Sequence, residues 1–410
     1  MNSKPVARKS RPMRILTFTS LYPNRMFPEN GIFVETRLRQ LLRRKPELEA
    51  RVVAPVPWFP FPSPRFGVYG RMASVPRREV LNGISIEHPA FLVVPKLSWM
   101  FTPLAMAAQS YPTLRRLIAE GFDFDVIDAH YVFPDGVAAA ILARSLRKPF
   151  VMTARGTDIN QIPRYAIPRR MILAAARQCA EMVTVCAALK HELIALGAES
   201  SKITVLRNGV DLELFYPQDR APARASFGMT RFALVSVGHL TTRKGHDLVI
   251  GALPFLPDSQ LFIAGSGPEE GRLKALAKKL NVSDRVCFLG ILSQDRLRAL
   301  YSAADSLVLA SSHEGWANVL LESMAGGAPV VASNDWGTPE VVAAPEAGVL
   351  MQERSSTGIA DAVRFLRVSL PARDATRRFA EQFSWDATSD GQLEIFERVA
   401  RAGHVDAPRR

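Results

Sequence analysis

Cysteine is scarce in this chain. Three residues in 410, Cys179, Cys186 and Cys287, are too few and too scattered for a disulfide framework or a cysteine-rich zinc site. That usage suits a reducing compartment. Long apolar runs are missing as well. None reaches the roughly 20 residues that span a bilayer, and the nearest, Pro89–Gln109, is interrupted by Lys96, by prolines and by polar residues. The opening MNSKPVARKSRPM carries the charge of a signal-peptide n-region, but RILTFTSLYP behind it alternates apolar residues with Thr and Ser. That is a strand pattern rather than an apolar h-region. The expectation is a cytoplasmic protein, neither secreted nor membrane-spanning.

Acidic residues run short in one half only. Residues 1–205 hold 29 basic against 15 acidic side chains, a net of +14, whereas 206–410 hold 23 against 24. The formal charge of +13 therefore belongs entirely to the first half. Such a surface draws polyanions, whether nucleic acid, anionic lipid or acidic glycan. Hydrophobic residues at 48% and charged ones at 22% exclude a disordered chain, and the length predicts two or three domains.

Short apolar runs alternate with helical stretches along nearly the whole sequence. Strands are expected at Ile15–Thr19, Ala50–Ala54, Val126–Ala129, Phe150–Thr153, Met182–Val185 and Thr204–Leu206. A second series follows at Phe232–Val237, Gln260–Ala264, Val286–Leu289, Ser306–Leu309 and Val330–Ala332. Continuous apolar runs mark parallel strands covered on both faces. Two such series predict an α/β protein of two doubly wound, Rossmann-like domains, joined near Leu206–Pro217. Residues 55–78 are dense in proline, aromatics and arginine and read as a loop. The tail from Ser384, FSWDATSDGQLEIFERVARAG, reads as a final amphipathic helix.

Four segments carry chemistry. In EGWANVLLESMAGGAPVVAS, Glu314 precedes a helix and Glu322 lies eight residues on, two turns into it. The amides of Ala317–Leu320 are free donors at that helix start, suited to phosphate or sugar hydroxyls. In SVGHLTTRKG a strand ends at Gly238, and Arg243 and Lys244 stand before a helix, where cations are unfavourable unless an anion joins them. In AGSGPEE, Gly265 and Gly267 suggest close approach to a ligand. Glu270 replaces the third glycine of a dinucleotide fingerprint, which excludes NAD binding there. In the first half, His130 and Asp158 follow strands, at the edge where open α/β sheets bind ligands, and Gly31 opens a helix.

These motifs, in this order and spacing from about Met13 to Val399, resemble the retaining GT-B glycosyltransferases of family 4, in particular bacterial enzymes that build surface polysaccharides or lipid-linked glycans. The resemblance implies an acceptor-binding domain at 13–206, a sugar-nucleotide-binding domain at 207–382 facing it across a cleft, and a helix at 383–402 that crosses back to the first. It implies that Arg243 and Lys244 neutralise the donor diphosphate and that Glu322 accepts from the ribose hydroxyls. Glu314, Asn318 and the backbone of Val319 and Leu320 would hold the transferred sugar. Gly238, Gly265, Gly267 and Ile291 would line the nucleotide, Gly31 would approach a phosphate, and His130 would contact the sugar near the reacting carbon. Asp158 would stand in the cleft.

The donor would be a UDP- or GDP-sugar acting as substrate, with no cofactor and no metal, since Arg243 and Lys244 supply the positive charge. A glycan or lipid-linked acceptor is implied. Arg37, Arg39, Arg43, Arg44 and Lys45, with the aromatics of residues 55–78, would dock on an anionic membrane. The competing reading is a basic polyanion-binding protein with no transferase activity, although the sequence has no nucleic-acid reader motif.

Overall fold

A computed structural model describes residues 11–93 and 100–405 of the chain. The first ten residues of the basic opening, and Lys96 with its neighbours in the Pro89–Gln109 stretch, lie outside that range. The chain divides into two compact units. The first runs to Thr184 and adds Leu193–Thr204 and the chain from Ser389 on; the second comprises Val185–Glu192 and Val205–Thr388. Val185–Glu192 thus groups with the second unit from inside the span expected for the first domain. Its helix start is held there by Glu340, whose carboxylate accepts from the amides of Ala187 and Ala188 at 2.7 and 3.1 Å.

The described strands of the first unit are β1 Arg14–Phe18, β2 Glu49–Val53, β3 Val56–Pro57, β4 Arg78–Leu81, β5 Ile84–Glu87, β6 Ala90–Phe91, β7 Val126–His130, β8 Phe150–Ala154, β9 Glu181–Thr184 and β10 Ile203–Val205. Eight form one sheet in the order β10-β9-β8-β7-β1-β2-β5-β4. Strands β7 and β8 are buried along their whole length, Asp128 and His130 of β7 and Thr153 of β8 included. Strand β4 is antiparallel, folded back on β5 across Asn82 and Gly83. Both turn residues have positive φ, 50° and 80°, as a two-residue primed hairpin turn demands.

Residues 55–78 differ from the loop expected. No proline falls between Pro64 and Pro76, and that stretch forms a 3₁₀ turn at Pro64–Phe66 and then a helix at Gly67–Ala73. The exclusion of helix holds only where prolines recur every second residue.

The second unit contributes β11 Phe232–Val237, β12 Ser259–Ala264, β13 Val286–Gly290, β14 Ser306–Leu309, β15 Val330–Ser333 and β16 Gly348–Met351. They form a parallel sheet in the order β13-β12-β11-β14-β15-β16. Leu234, Val249, Ile263, Val308, Val331, Ile359 and Val363 knit the sheet to its helices in one core. The order reverses between β11 and β14, the switch point at which such sheets bind ligands.

The last helix, Trp385–Val405, begins directly after Ser384, and from Ser389 on it belongs to the first unit. Its side chains consume much of the basic cluster on the helix Ile32–Arg44. Arg37 is fully buried and donates to Gln392 at 2.8 Å. Arg44 makes a two-pronged pair with Asp390 at 2.7 and 2.8 Å, and Lys45 pairs with Glu397 at 2.6 Å. The expected membrane-facing cluster is corrected accordingly: Arg37, Arg44 and Lys45 hold the final helix, while Arg39 and Arg43 are exposed.

Candidate functional site

In the second unit the chemistry gathers where β11 and β14 end. Gly238 follows β11, and Thr242–Lys244 form a single 3₁₀ turn. The Ser312 amide donates to the Arg243 carbonyl at 2.9 Å and ties this loop to the one after β14. Glu314 lies on that second loop. Lys244 Nζ sits 2.6 Å and Arg243 Nη1 3.3 Å from the same oxygen, Glu314 Oε1. Arg243 Nη1 also donates to the His313 carbonyl at 2.6 Å. Burial alone would raise the Glu314 carboxyl, but Lys244 and then Arg243 outweigh it and hold it below its ordinary range. Two cations expected to meet a diphosphate are therefore fixed in place by a carboxylate expected to meet the sugar.

Glu322 lies on the helix Asn318–Ala325, where the Tyr301 hydroxyl donates to it at 3.0 Å. Burial pushes its carboxyl up to about 7, and that one hydrogen bond offsets only part of the shift. Asn318 opens the same helix and accepts from Asn208 at 3.3 Å. The Leu320 side chain is buried, so only its backbone is available to a ligand, whereas Ile291 is exposed.

The glycines answer to a nearer cause than a ligand. A Cβ on Gly265, at φ +140°, would stand 2.0 Å from the Gly238 carbonyl oxygen, and one on Gly267 would stand 2.4 Å from that of Leu240. The loops after β11 and β12 pack backbone to backbone there. Gly31 is similar: at φ +67° its Cβ would meet the Leu21 carbonyl at 2.2 Å. The close approach inferred from sequence is real, but its partner is the chain itself.

In the first unit, the loops after β1, β7 and β8 are locked by buried polar groups. Asp135 accepts from the backbone and the hydroxyl of Ser20, joining the loop after β1 to the one after β7. Asp158 accepts from the amides of Val132, Arg155 and Gly156 at 2.7–3.2 Å. It is fully buried, so the expected place in a cleft gives way to organising two loops.

His130 is buried too, with Asp128 at 2.9 Å from Nε2 and Arg155 donating to Nδ1 at 2.6 Å. That fixes the tautomer: Nδ1 accepts, so Nε2 carries the proton and gives it to Asp128. Burial drives the imidazole down to about 4 against the opposing pull of Asp128, and Arg155 adds to the drop. The ring is neutral at physiological pH, and a sugar hydroxyl reaches Nδ1 only if Arg155 gives it up. Asp128, Arg155 and Gln392, which donates to Asp128 at 3.2 Å, are the members that sequence reasoning missed. Asp128 lies in the expected strand Val126–Ala129 and Arg155 two residues past the expected strand Phe150–Thr153, while nothing local points to Gln392.

An Asp-x-Asp spacing does occur, at Asp123 and Asp125. It precedes β7, and the two carboxylates face Lys148 at 2.6 Å and Arg11 at 2.5 Å. Cations already occupy what could otherwise suggest a metal pair.

Comparison with known proteins agrees with this geometry. The family described as Glycosyltransferase Family 4 matches residues 68–214, and the family described as Glycosyl transferases group 1 matches 218–382. A candidate teichuronic acid biosynthesis glycosyltransferase of Bacillus subtilis, TuaC, is 27% identical over 363 residues, 86% of this chain and 88% of the relative. A D-inositol 3-phosphate glycosyltransferase of Mycobacteroides abscessus is 35% identical over 211 residues, 49% of this chain and 48% of the relative. Among solved structures, sucrose-phosphate synthase of Thermosynechococcus elongatus superposes with a TM-score of 0.76 at 18% identity, over 96% of this chain and 100% of that one. Anabaena HepE in complex with UDP superposes at 0.71 with 20% identity, over 94% and 100%. The two-sheet architecture is the GT-B fold, and the chain belongs to the group 1 glycosyltransferases.

Proposed function

We propose that the chain is a retaining transferase that moves a sugar from a nucleotide diphosphate sugar to a glycan or lipid-linked acceptor in bacterial surface polysaccharide synthesis. The observation that carries this reading is the Arg243–Lys244–Glu314 cluster at the switch point of the second sheet. The bond from the anomeric carbon to the diphosphate breaks as the bond from the acceptor oxygen forms, and charge builds on the leaving phosphate. Fixed cations aimed at that charge are the strongest catalytic tool for such a step. The acceptor proton passes to the leaving phosphate on the same face, which preserves the anomeric configuration without a carboxylate nucleophile. Support for a UDP-linked donor comes from HepE, whose structures hold UDP and UDP-glucose. Support for a surface glycan comes from TuaC. A thermal-shift screen of sugar nucleotides tests the reading, since a donor at 100 times its dissociation constant adds ~2.7 kcal/mol. Proton NMR of the product then reads the anomer, and an inverted product overturns the mechanism.

Glu322 as ribose acceptor has a pH signature. With its carboxyl near 7, it is mostly protonated at pH 6 and mostly ionised at pH 8. Donor affinity should therefore rise about tenfold across that interval and stay flat in Glu322→Gln. Glu322→Ala should raise the Michaelis constant with little change in turnover. Normal nucleotide binding by that variant would misplace the ribose.

Activity should also survive excess EDTA, because Arg243 and Lys244 hold the charge a metal would. Loss in EDTA with recovery on magnesium or manganese contradicts the assignment.

Membrane proximity rests on the exposed rings of Trp58, Phe61, Phe66 and Tyr69 beside Arg65, Arg71, Arg77 and Arg78. Rings with basic neighbours suit an interfacial anchor. No helix among the described residues is long and apolar enough to cross a membrane. Sedimentation with anionic liposomes, falling as salt rises, is the expected result; equal binding to neutral vesicles would count against it.

A further inference from the structure

The first unit contains a cavity of about 580 Å³, lined in part by Trp58, Arg77 and Arg78 of the anchor proposed above. It lies past the C-terminal ends of β2 and β5, where the short ladder β3–β6 continues outward. The Trp58 amide donates to the Phe91 carbonyl at 2.7 Å and holds that ladder open beside the cavity. Trp58 and Leu92, each about half exposed, line it. So do Arg77 and Arg78, at the start of β4, Arg116, on the helix Thr102–Ala119, and Glu87.

Three guanidiniums here stand by two carboxylates, Glu87 and Glu120. Glu87 lies 2.8 Å from Arg116 Nη2 and 3.3 Å from Arg78. The second Arg116 nitrogen, Nη1, is buried without a hydrogen bond, with Glu120 at 3.8 Å. Arg77 has no ion-pair partner among the described residues. A surplus of about one positive charge, carried by planar forks that bind oxyanions in pairs, suits a phosphate. Phe59, next in the chain to Trp58, belongs to a cluster with Phe61, Phe66 and Tyr69 whose rings pack on one another at 5.3–6.1 Å between centroids. The lining is amphiphilic: it combines guanidiniums with an indole and the apolar side chains of Pro89, Ala90 and Leu92.

We propose, resting on the reading of the first unit as the acceptor-binding one, that Arg77, Arg78 and Arg116 hold the phosphate of a phosphorylated acceptor and that Trp58 and Leu92 cover its apolar portion. That chemistry is shared by a lipid-linked diphosphate and a soluble sugar phosphate, and the amphiphilic lining favours the lipid.

Calorimetry on the intact chain with two probes, farnesyl diphosphate and inorganic pyrophosphate, tests the site. The double variant Arg77→Gln/Arg78→Gln should weaken both at least tenfold, and Trp58→Ala should weaken farnesyl diphosphate alone. Tight farnesyl diphosphate and weak pyrophosphate binding is the expected ranking; equal affinity overturns the apolar half of the proposal and assigns the site to a soluble phosphate. Absence of binding, or binding that ignores the two arginines, overturns the site itself, since a diphosphate seated instead at Lys244 would be blind to them. Thermal shift by a sugar nucleotide, retained in Arg77→Gln/Arg78→Gln, separates the two readings. A wild-type chain that no sugar nucleotide stabilises refutes the transferase mechanism and leaves the phosphate result standing.

Discussion

Lys244→Ala should lower turnover by on the order of 10²–10³, the loss that follows removal of one preorganised donor from a transition state. The effect belongs in turnover rather than in the Michaelis constant, because charge on the leaving diphosphate grows only as the sugar bond breaks. Lys244 also neutralises a buried partner, Glu314, at 2.6 Å, so its removal strains the fold as well as the reaction. Two companions separate these effects. Lys244→Arg keeps the charge and should restore stability before it restores rate, since a planar fork does not reproduce an ammonium point charge. Lys244→Ala/Glu314→Gln removes both charges and should refold well while remaining slow. A folded Lys244→Ala enzyme with wild-type turnover would remove the diphosphate assignment.

Arg37→Ala should be the most destabilising single change in the first unit. Arg37 is buried, donates to Gln392 and supports Asp128, which in turn holds His130. Burial pulls its guanidinium down to about 10, with Asp128 opposing the fall. Breaking a buried pair by deleting one partner costs about 3–5 kcal/mol, because the other charge stays behind. At ~2–4 °C per kcal/mol for a unit of this size, the midpoint should drop by about 6–20 °C. Arg37→Met/Asp128→Asn should lose less than Arg37→Met alone, which is the sign of coupling rather than of lost packing. A midpoint within ~2 °C of wild type for Arg37→Ala would show that the network does not bear on stability.

The sequence is most readable where chemistry is local. Arg243 and Lys244 are adjacent, Glu314 and Glu322 share one short segment, and the strand that aims them is a plain apolar run. Their roles as a cluster follow from neighbours a reader can see. Asp158 and His130 look alike on the page, each a polar residue behind a strand, but the fold encloses both. Asp158 takes the amides of Val132, Arg155 and Gly156, and His130 meets Arg155 and Asp128, which Gln392 reaches from 264 positions away. Nothing local distinguishes a buried loop organiser from a ligand contact. The same holds for the basic helix, whose Arg44 and Lys45 look solvated until Asp390 and Glu397 arrive from the far end of the chain. Asn82-Gly83 is a different case, because its hairpin signal was present and lay hidden behind the proline-rich stretch before it.

Membership of the last helix in the first unit bears on how the protein is made. Residues up to Thr184 leave the ribosome first, but Asp390, Gln392 and Glu397, which satisfy Arg44, Arg37 and Lys45, leave it last. At ~5–20 residues per second, the first unit waits roughly 10–40 s for its final segment while the second is synthesised. The unit that begins the chain is thus the last to be completed. Emergence of the segment that carries Gln392, rather than of the first 204 residues, sets when Arg37 acquires its partner.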